Sequence, residues 1–170
     1  MRIILQSDAT PYKSLLKLTR ENKKYSKFNM THLINPFHLA IPVKNLQQSK
    51  SFYQKLLGCQ LGRSSNKWQD LNFFGHQLVL HEVKDLKISD TNPVDGHNVP
   101  IPHFGVVLTI ELWKTLKNRL MQANIKFEIE PYIRFEGQVG EQATMFFFDP
   151  SGNALEFKAF ADIEYELFKT

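Results

Sequence analysis

The sequence predicts an α+β protein of two tandem βαβββ modules, which together form a cupped, mostly antiparallel sheet around one cavity. Residues 36–43 and 101–108 are short apolar segments with a histidine near the start of each, His38 and His103, 65 positions apart. A helix-like pattern and then three strand-like segments follow each of them. This order, repeated at a constant offset, indicates an internal duplication.

The first module has a helical pattern followed by a broken hairpin. Apolar residues recur there at three- and four-residue steps, and Gly58 is placed to end the helix. The strand-like segments are 60–62, 68–74 and 77–83, and Gly75 interrupts the last hairpin. The predicted helix positions that face the core are Ser49, Phe52, Tyr53, Leu56 and Leu57.

The second module repeats this order. Leu112, Leu116 and Leu120 form the apolar stripe of its helix, with Trp113 and Met121 beside the stripe. Strand-like segments follow at 126–129, 143–148 and 154–160. The run 149–153, Asp-Pro-Ser-Gly-Asn, has the composition of a tight turn between the last two strands.

These elements divide the chain at composition changes. We expect a basic tail at 1–30 outside the fold, a first module at 31–90, a linker at 91–100, a second module at 101–162 and a C-terminal tail at 163–170. Residues 1–29 contain seven Lys or Arg and two acidic residues, whereas the net charge of the whole chain is +4. The body is therefore close to neutral, which argues against nucleic acid as a partner.

Composition limits the other classes of protein to which this chain could belong. The chain has 14 Phe and a single cysteine, Cys59, which predicts an aromatic core and excludes an intramolecular disulfide. We expect Cys59 to be a small buried apolar residue. No apolar run approaches the length of a membrane helix and no secretory pattern opens the chain, so the expected location is the cytoplasm.

Residues 34–160 resemble the vicinal oxygen chelate superfamily, which includes glyoxalase I, extradiol dioxygenases, fosfomycin-resistance proteins and bleomycin-binding proteins. Residues 46–58 resemble the first helix of that superfamily, and residues 149–156 resemble its last hairpin. More narrowly, 75–79 and 102–107 are similar to a branch described as predicted extradiol-type dioxygenases or glyoxalase-like proteins.

The resemblance implies a metal site. Ligands in this superfamily come from the first and last strands of each module, a rule that carries over to His38, His103 and Glu156. Two imidazoles and one carboxylate leave coordination positions open for substrate and suit Fe(II), which we favour, or Mn(II), Ni(II) or Zn(II). The repeat also places the two histidines at equivalent positions. The interpretation that they are unrelated core residues is therefore the weaker one.

The alignment of the two modules argues against a fourth metal ligand. Matching Gly75 with Gly152 places Val79 opposite Glu156, and valine cannot bind metal. A slip of two residues would bring Gln77 or His81 to the same strand face. We therefore predict three protein ligands, with Gln77 or His81 as an outer-shell or fourth group. Gln77 is also a candidate for binding substrate, and His81 is a candidate catalytic proton shuttle.

The reaction is less determined than the metal site. In the extradiol signature a tyrosine stands where this chain has Phe146, so His81 or Tyr132 would have to supply the proton-transfer group. The glyoxalase interpretation lacks its carboxylate in the first module. Arg134 is a candidate anion clamp, and the segment from Arg134 to Glu141 is either a mobile loop over the cavity, with Glu141 binding substrate, or a plain hairpin connection.

The sequence thus predicts a metal-dependent enzyme that acts on a small substrate with adjacent oxygen atoms, with a slight preference for a dioxygenase. The alternatives are a glyoxalase-like isomerase or lyase and a binding protein without catalysis. Neither nucleic acid nor a membrane is expected as a partner, and a homodimer is left open.

Overall fold

The structure is a computed structural model that describes residues 35–86, 90–94 and 96–168. The basic tail expected at 1–30 lies outside the described residues. Within them, the predicted α+β class and the repeated βαβββ order are confirmed. No helix of the described segments is long and apolar enough to cross a membrane.

The first module forms a four-stranded sheet in the order β1-β4-β3-β2. Strand β1 pairs with β4 in parallel, and the other two contacts are antiparallel. Helix α1 continues directly into a π-helical turn, Phe52–Leu56, and Gly58 follows with a φ of 78°. The elements are β1 His38–Val43, α1 Leu46–Ser51, β2 Gln60–Ser64, β3 Trp68–Phe73 and β4 His76–Glu82.

The segment expected as a linker contains a hairpin of two antiparallel strands, β5 Asp90–Val94 and β6 His97–Ile101. Gly96, with a φ of 80°, lies between the two strands. Short strands such as these pair readily across a tight turn even where the composition is polar. The hairpin leads directly into the first strand of the second module.

The second module forms another sheet, in which β7 and β8 both pair in parallel with β11, followed by β10 and β9 in antiparallel order. Thr109 caps helix α2 by accepting a hydrogen bond from the Leu112 backbone amide at 3.3 Å. The elements are β7 His103–Phe104, β8 Val107–Thr109, α2 Ile110–Gln122, β9 Phe127–Arg134, β10 Gln142–Phe148, β11 Ala154–Phe160 and α3 Ile163–Glu166.

The predicted apolar stripe of the second helix was partly wrong. Leu116 and Leu120 are buried, but the third buried position is Trp113, whereas Leu112 and Met121 are exposed. The Trp113 indole N–H donates to the Phe157 carbonyl at 2.9 Å, so that the large ring turns towards the sheet. That contact rotates the buried face by one residue relative to the leucine stripe.

Both modules contribute to one apolar core, as the number of phenylalanines predicted. Phe147 and Phe157 stack with centroids 5.7 Å apart, and Phe52 and Phe73 pack on them from the first module. Cys59 lies in this core, where burial raises the pKa of its thiol to about 12. The protonated thiol therefore acts as a small apolar residue.

A buried polar turn also joins the modules. The hydroxyl of Tyr53 in the first helical segment donates to Asp149 Oδ2 at 3.0 Å, and burial raises the pKa of that phenol, with Asp149 adding to the effect. Asp149 Oδ1 accepts from the backbone amides of Ser151 and Asn153 at 2.8 and 2.9 Å. Asn153 in turn donates to the Pro42 carbonyl at 2.9 Å, so the turn at 149–153 holds the end of β1.

Candidate metal and substrate site

A cavity of about 170 Å³ lies between the outer face of the second sheet and the β5–β6 hairpin. Alternation along β11 and β10 points Glu156, Lys158, Thr144 and Phe146 away from the core and towards this space. The hairpin closes the other side. The described residues that line the cavity are Val94, His97, Val99, His103, Ile129, Tyr132, Arg134, Thr144, Phe146, Glu156 and Lys158.

His103 and Glu156 are in direct contact inside the cavity. His103 Nε2 lies 3.1 Å from Glu156 Oε2, and the two side chains are 30% and 9% exposed. The pair is close because β7 runs beside β11, with His103 in register with Ala154. Gly105 allows this approach, since a Cβ at that position would collide with the Glu156 backbone carbonyl.

The remaining oxygen of Glu156 is also satisfied. The Thr144 hydroxyl donates to Glu156 Oε1 at 2.8 Å, and the Lys158 ammonium lies 3.4 Å from the same oxygen. Burial alone would raise the pKa of Glu156, but the hydrogen bond from His103 and the charge of Lys158 together lower it below its ordinary value. The carboxylate is therefore ionised at neutral pH.

The pKa of His103 is raised, chiefly by its hydrogen bond to Glu156, while burial opposes the shift. The other ring nitrogen, Nδ1, lies 2.7 Å from the Pro100 carbonyl. A carbonyl oxygen only accepts hydrogen bonds, so Nδ1 carries a proton. Nε2 then faces the carboxylate either as a second N–H donor or, when neutral, as a lone pair that needs a cation between them.

His38 is on the other module. Its Nδ1 lies 2.8 Å from Gln77 Oε1, and the register of β1 with β4 places His38 beside Gln77 and Pro42 beside His81. His38, Gln77 and His81 therefore share the outer face of the first sheet. Among the described residues no three His, Cys, Asp or Glu side chains come together as a metal site. The predicted triad stays a prediction, with two of its three members in contact.

Of the other predicted site residues, Tyr132 and Arg134 line the cavity, and Tyr132 packs on His97 with ring centroids 5.5 Å apart. Glu141 does not line it. Its Oε2 accepts from the Gly137 backbone amide at 2.6 Å and so holds the turn between β9 and β10. The segment after Arg134 connects two paired antiparallel strands.

Sequence reasoning missed Lys158, Thr144 and His97. Lys158 could have been found, because it stands two residues after Glu156 and a strand presents such residues on the same face. Thr144 and His97 carry no comparable signal. Their places depend on the pairing of β10 with β11 and on the fold of the hairpin, which long-range contacts decide.

Comparison with known proteins agrees with this architecture. A family model described as the Glyoxalase/Bleomycin resistance protein/Dioxygenase superfamily matches residues 35–157. The solved structure of a glyoxalase/bleomycin resistance protein/dioxygenase from Alicyclobacillus acidocaldarius is 34% identical, with a TM-score of 0.63, and the match covers 79% of this chain and 98% of that one.

Two further solved structures share the fold at low identity. The genomically encoded fosfomycin resistance protein FosX from Listeria monocytogenes is 16% identical with a TM-score of 0.57, covering 75% of this chain and 94% of that one. A lactoylglutathione lyase from Agrobacterium tumefaciens is 13% identical with a TM-score of 0.55, covering 82% of this chain and 100% of that one.

Proposed function

Because this chain belongs to the Glyoxalase/Bleomycin resistance protein/Dioxygenase superfamily, we propose that it is a metal-dependent enzyme acting on a small substrate that offers adjacent oxygen atoms. His103 and Glu156 would hold the divalent ion, which would supply Lewis-acid chemistry at the substrate oxygens. The observation that carries the proposal is the contact between an imidazole Nε2 and a mostly buried carboxylate, 3.1 Å apart, inside a cavity.

The donor set fits a metal. The Nδ1 proton of His103 is held by the Pro100 carbonyl, and Thr144 orients Glu156. Hydrogen bonds of this kind, from a ligand to its surroundings, usually accompany metal-binding histidines and carboxylates. Lys158 is the competing cation, but its side chain is long and about one third exposed, so that it can turn aside.

The third ligand in this proposal is His38 of a second copy of the chain. His38 is exposed and its Nδ1 is held by Gln77, in the same way as the Nδ1 of His103 is held by Pro100. In both rings Nε2 is therefore the nitrogen that remains for a metal ion. A homodimer that places the outer face of one first sheet over the outer face of the other copy's second sheet would complete the site.

This arrangement would also assemble the other candidate groups. His81 and Gln77 would enter from the face that carries His38, and Tyr132 already lines the cavity. Tyr132 of β9 pairs with Thr144 of β10, and Thr144 pairs with Lys158 of β11, so that β10 lies between Tyr132 and Lys158. The Tyr132 hydroxyl or the His81 imidazole would exchange a proton with a substrate oxygen, a role suited to groups that can both donate and accept.

We favour a dioxygenase, because two histidines and one carboxylate are the ligand set of non-haem Fe(II) oxygenases. Position 146 is Phe where the extradiol signature has a tyrosine. Tyr132 and His97 in the cavity nevertheless offer polar hydrogens, which supports this reaction. A glyoxalase-like isomerase or lyase is the second candidate. It is favoured by the folds of the fosfomycin resistance protein and the lactoylglutathione lyase, and opposed by Val79, which offers no ligand.

Metal content tests the proposal directly. We expect protein purified and then incubated with Zn(II) or Fe(II) under anaerobic conditions to retain stoichiometric metal, measured by elemental analysis. His103→Ala and Glu156→Ala should each lose that metal while remaining folded by circular dichroism. Glu128→Ala, which removes an exposed carboxylate from β9, is the matched control and should retain it. Full metal occupancy in both site variants would exclude this pair as ligands.

Oxygen uptake separates the two reactions. The Fe(II)-loaded protein should consume oxygen with a member of a catechol panel, and His81→Gln or Tyr132→Phe should slow this by roughly 10²–10⁴ if that residue transfers the proton. If no catechol gives uptake above background, while a thiol adduct or hydroxy acid is converted with Ni(II), Mn(II) or Zn(II), the isomerase or lyase is the correct function.

A further inference from the structure

We propose that Val99, with Val94 beside it, limits the size of substrate that the cavity admits. The apolar part of a substrate is then no larger than one six-membered ring or a branched chain of similar volume. Both valines belong to the β5–β6 hairpin. As a statement about substrate this inference rests on the proposed function, because the same cavity contains His103 and Glu156.

The floor of the cavity consists of two rows of side chains that cross the second sheet. In the first row Ile129 of β9 pairs with Phe146 of β10, and Phe146 pairs with Glu156 of β11. Ile129 and Phe146 are buried, each only 4% exposed. The apolar part of a ligand therefore belongs on this row, next to the carboxylate. The second row is polar and contains Tyr132, Thr144 and Lys158.

The β5–β6 hairpin forms the roof of the same cavity. Val94 is the cross-strand partner of His97, and Val99 follows two residues later on β6. Directly opposed residues and residues two apart share one face of a pair of strands, so all three side chains project from the same face. That face is turned towards the second sheet, because all three residues line the cavity.

Contacts near both ends of β6 determine where Val99 lies. The His97 ring packs on Tyr132 with centroids 5.5 Å apart, and the Pro100 carbonyl lies 2.7 Å from His103 Nδ1. Strand β6 therefore crosses the cavity from the β9 side to His103, with Val99 between those two contacts. Only three residues separate Val99 from His103, so this part of the roof belongs to the same stretch of backbone as the candidate ligand.

The space between roof and floor is small. The cavity has a volume of about 170 Å³, and an apolar cavity of roughly 150 Å³ holds one benzene molecule. Val99 cannot turn aside easily, since a β-branched side chain has few χ1 positions. It is half-buried in the roof, and Ile129 and Phe146 on the floor are packed in place. A second fused ring would therefore have no room.

Phenol and 2-naphthol differ by one fused ring and test this limit. We expect phenol to bind at least about tenfold more tightly in isothermal titration, because an extra ring would overpack the space. A surface patch would give the opposite order, since 2-naphthol has the larger apolar area. The full-length protein is measured both after EDTA treatment and after loading with Zn(II), so that the result does not depend on metal.

Substitutions at Val99 should change the size limit in opposite directions. Val99→Ala enlarges the cavity and should strengthen 2-naphthol binding about tenfold, whereas phenol binding should change much less. Val94→Ala should give a smaller change of the same kind. Val99→Phe fills the space and should weaken phenol binding about tenfold. The matched control is Val139→Ala, an exposed valine of the turn after β9 that does not line the cavity, and it should change neither affinity.

The outcomes separate this inference from the proposed function. If 2-naphthol binds the wild type as tightly as phenol, if neither compound binds, or if Val99→Ala leaves both affinities unchanged, the size limit is wrong whatever the metal content. If the size limit holds but the wild type retains no metal, the proposed function falls, and a binding cavity limited by Val99 remains.

Discussion

Glu156 is the residue on which most of the site converges. Its two oxygens contact an imidazole, a hydroxyl and an ammonium, and its backbone carbonyl lies against Gly105. A carboxylate with this many donors remains ionised despite burial, because each hydrogen bond favours the charged form. It is thus ready to bind a cation at neutral pH, and without metal it binds the protonated form of His103.

The pairing of His103 with Glu156 predicts a pH dependence for the metal-free protein. The pKa of Glu156 is lowered, so its contribution is lost as the pH falls through that lowered value. The pKa of His103 is raised, so its contribution is present below the unfolded value and lost as the pH rises through the raised one. The stabilisation by the pair should therefore be greatest at about pH 5 to 6.

The measurement is urea unfolding of EDTA-treated protein between about pH 3 and 9, comparing the wild type with His103→Gln. The difference in free energy of unfolding should be largest near the middle of that range and decline on both sides. A difference that does not vary with pH would show that the pair is not ionised as described.

At the scale of elements, the approach of β7 and β8 to β11 decides whether the site exists. Gly105 lies between the two short strands, at the point where their backbone passes Glu156. No turn geometry calls for glycine there, since its φ is not positive, and the reason is the lack of space for a Cβ. Glycine at such positions commonly marks close backbone contact.

Gly105→Ala should therefore destabilise the protein by about 1–3 kcal/mol or more, because the added methyl group forces the strands apart. It should also weaken metal binding, because β11 carries Glu156. The matched control is Gly62→Ala, whose Cβ would meet Asp70 Cβ at 3.1 Å, a much milder contact than the collision at Gly105. It should cost less, and urea unfolding measures both. Equal stability of the two variants would contradict the steric explanation.

At the scale of the whole molecule, the two modules share a core but present their site residues on outer faces. His38 does not meet His103 and Glu156, although the repeat relates the two histidines. Core packing and the Asp149 turn, which binds Tyr53 and positions Asn153 on Pro42, hold this arrangement. In the proposed metal site a second copy would supply the third ligand, and dimers with two-fold symmetry are the commonest oligomers.

Co-expression of two variants that bind no metal tests whether two copies of the chain share the site. His38→Ala and Glu156→Ala should each bind no metal alone. Co-expressed, they should form mixed dimers with one intact site of two, so that about a quarter of all sites bind metal when pairing is random. His103→Ala co-expressed with Glu156→Ala is the control and should give none, because both changes fall on the same half of the site. If the first mixture also binds no metal, the shared site is wrong.

Local patterns were sufficient for most elements of this chain. Gly58 ends the first helical segment, the turn at 149–153 separates β10 from β11, and β11 covers 154–160 as the strand pattern predicted. These features depend on backbone freedom, turn chemistry and period-two alternation, which neighbouring residues determine. The repeat of His38 and His103 was visible for the same reason, because it needs only an alignment of the chain with itself.

Tertiary structure determined which residues far apart in the chain are in contact. It placed Trp113 rather than Leu112 in the core, paired β5 with β6 over the cavity, and brought Thr144 to the carboxylate that His103 contacts. It also kept His38 on a separate face from that pair. The physical reason is that these outcomes depend on strand order and on the packing of both modules into one core. Such contacts join residues far apart in the chain, and no local pattern encodes them.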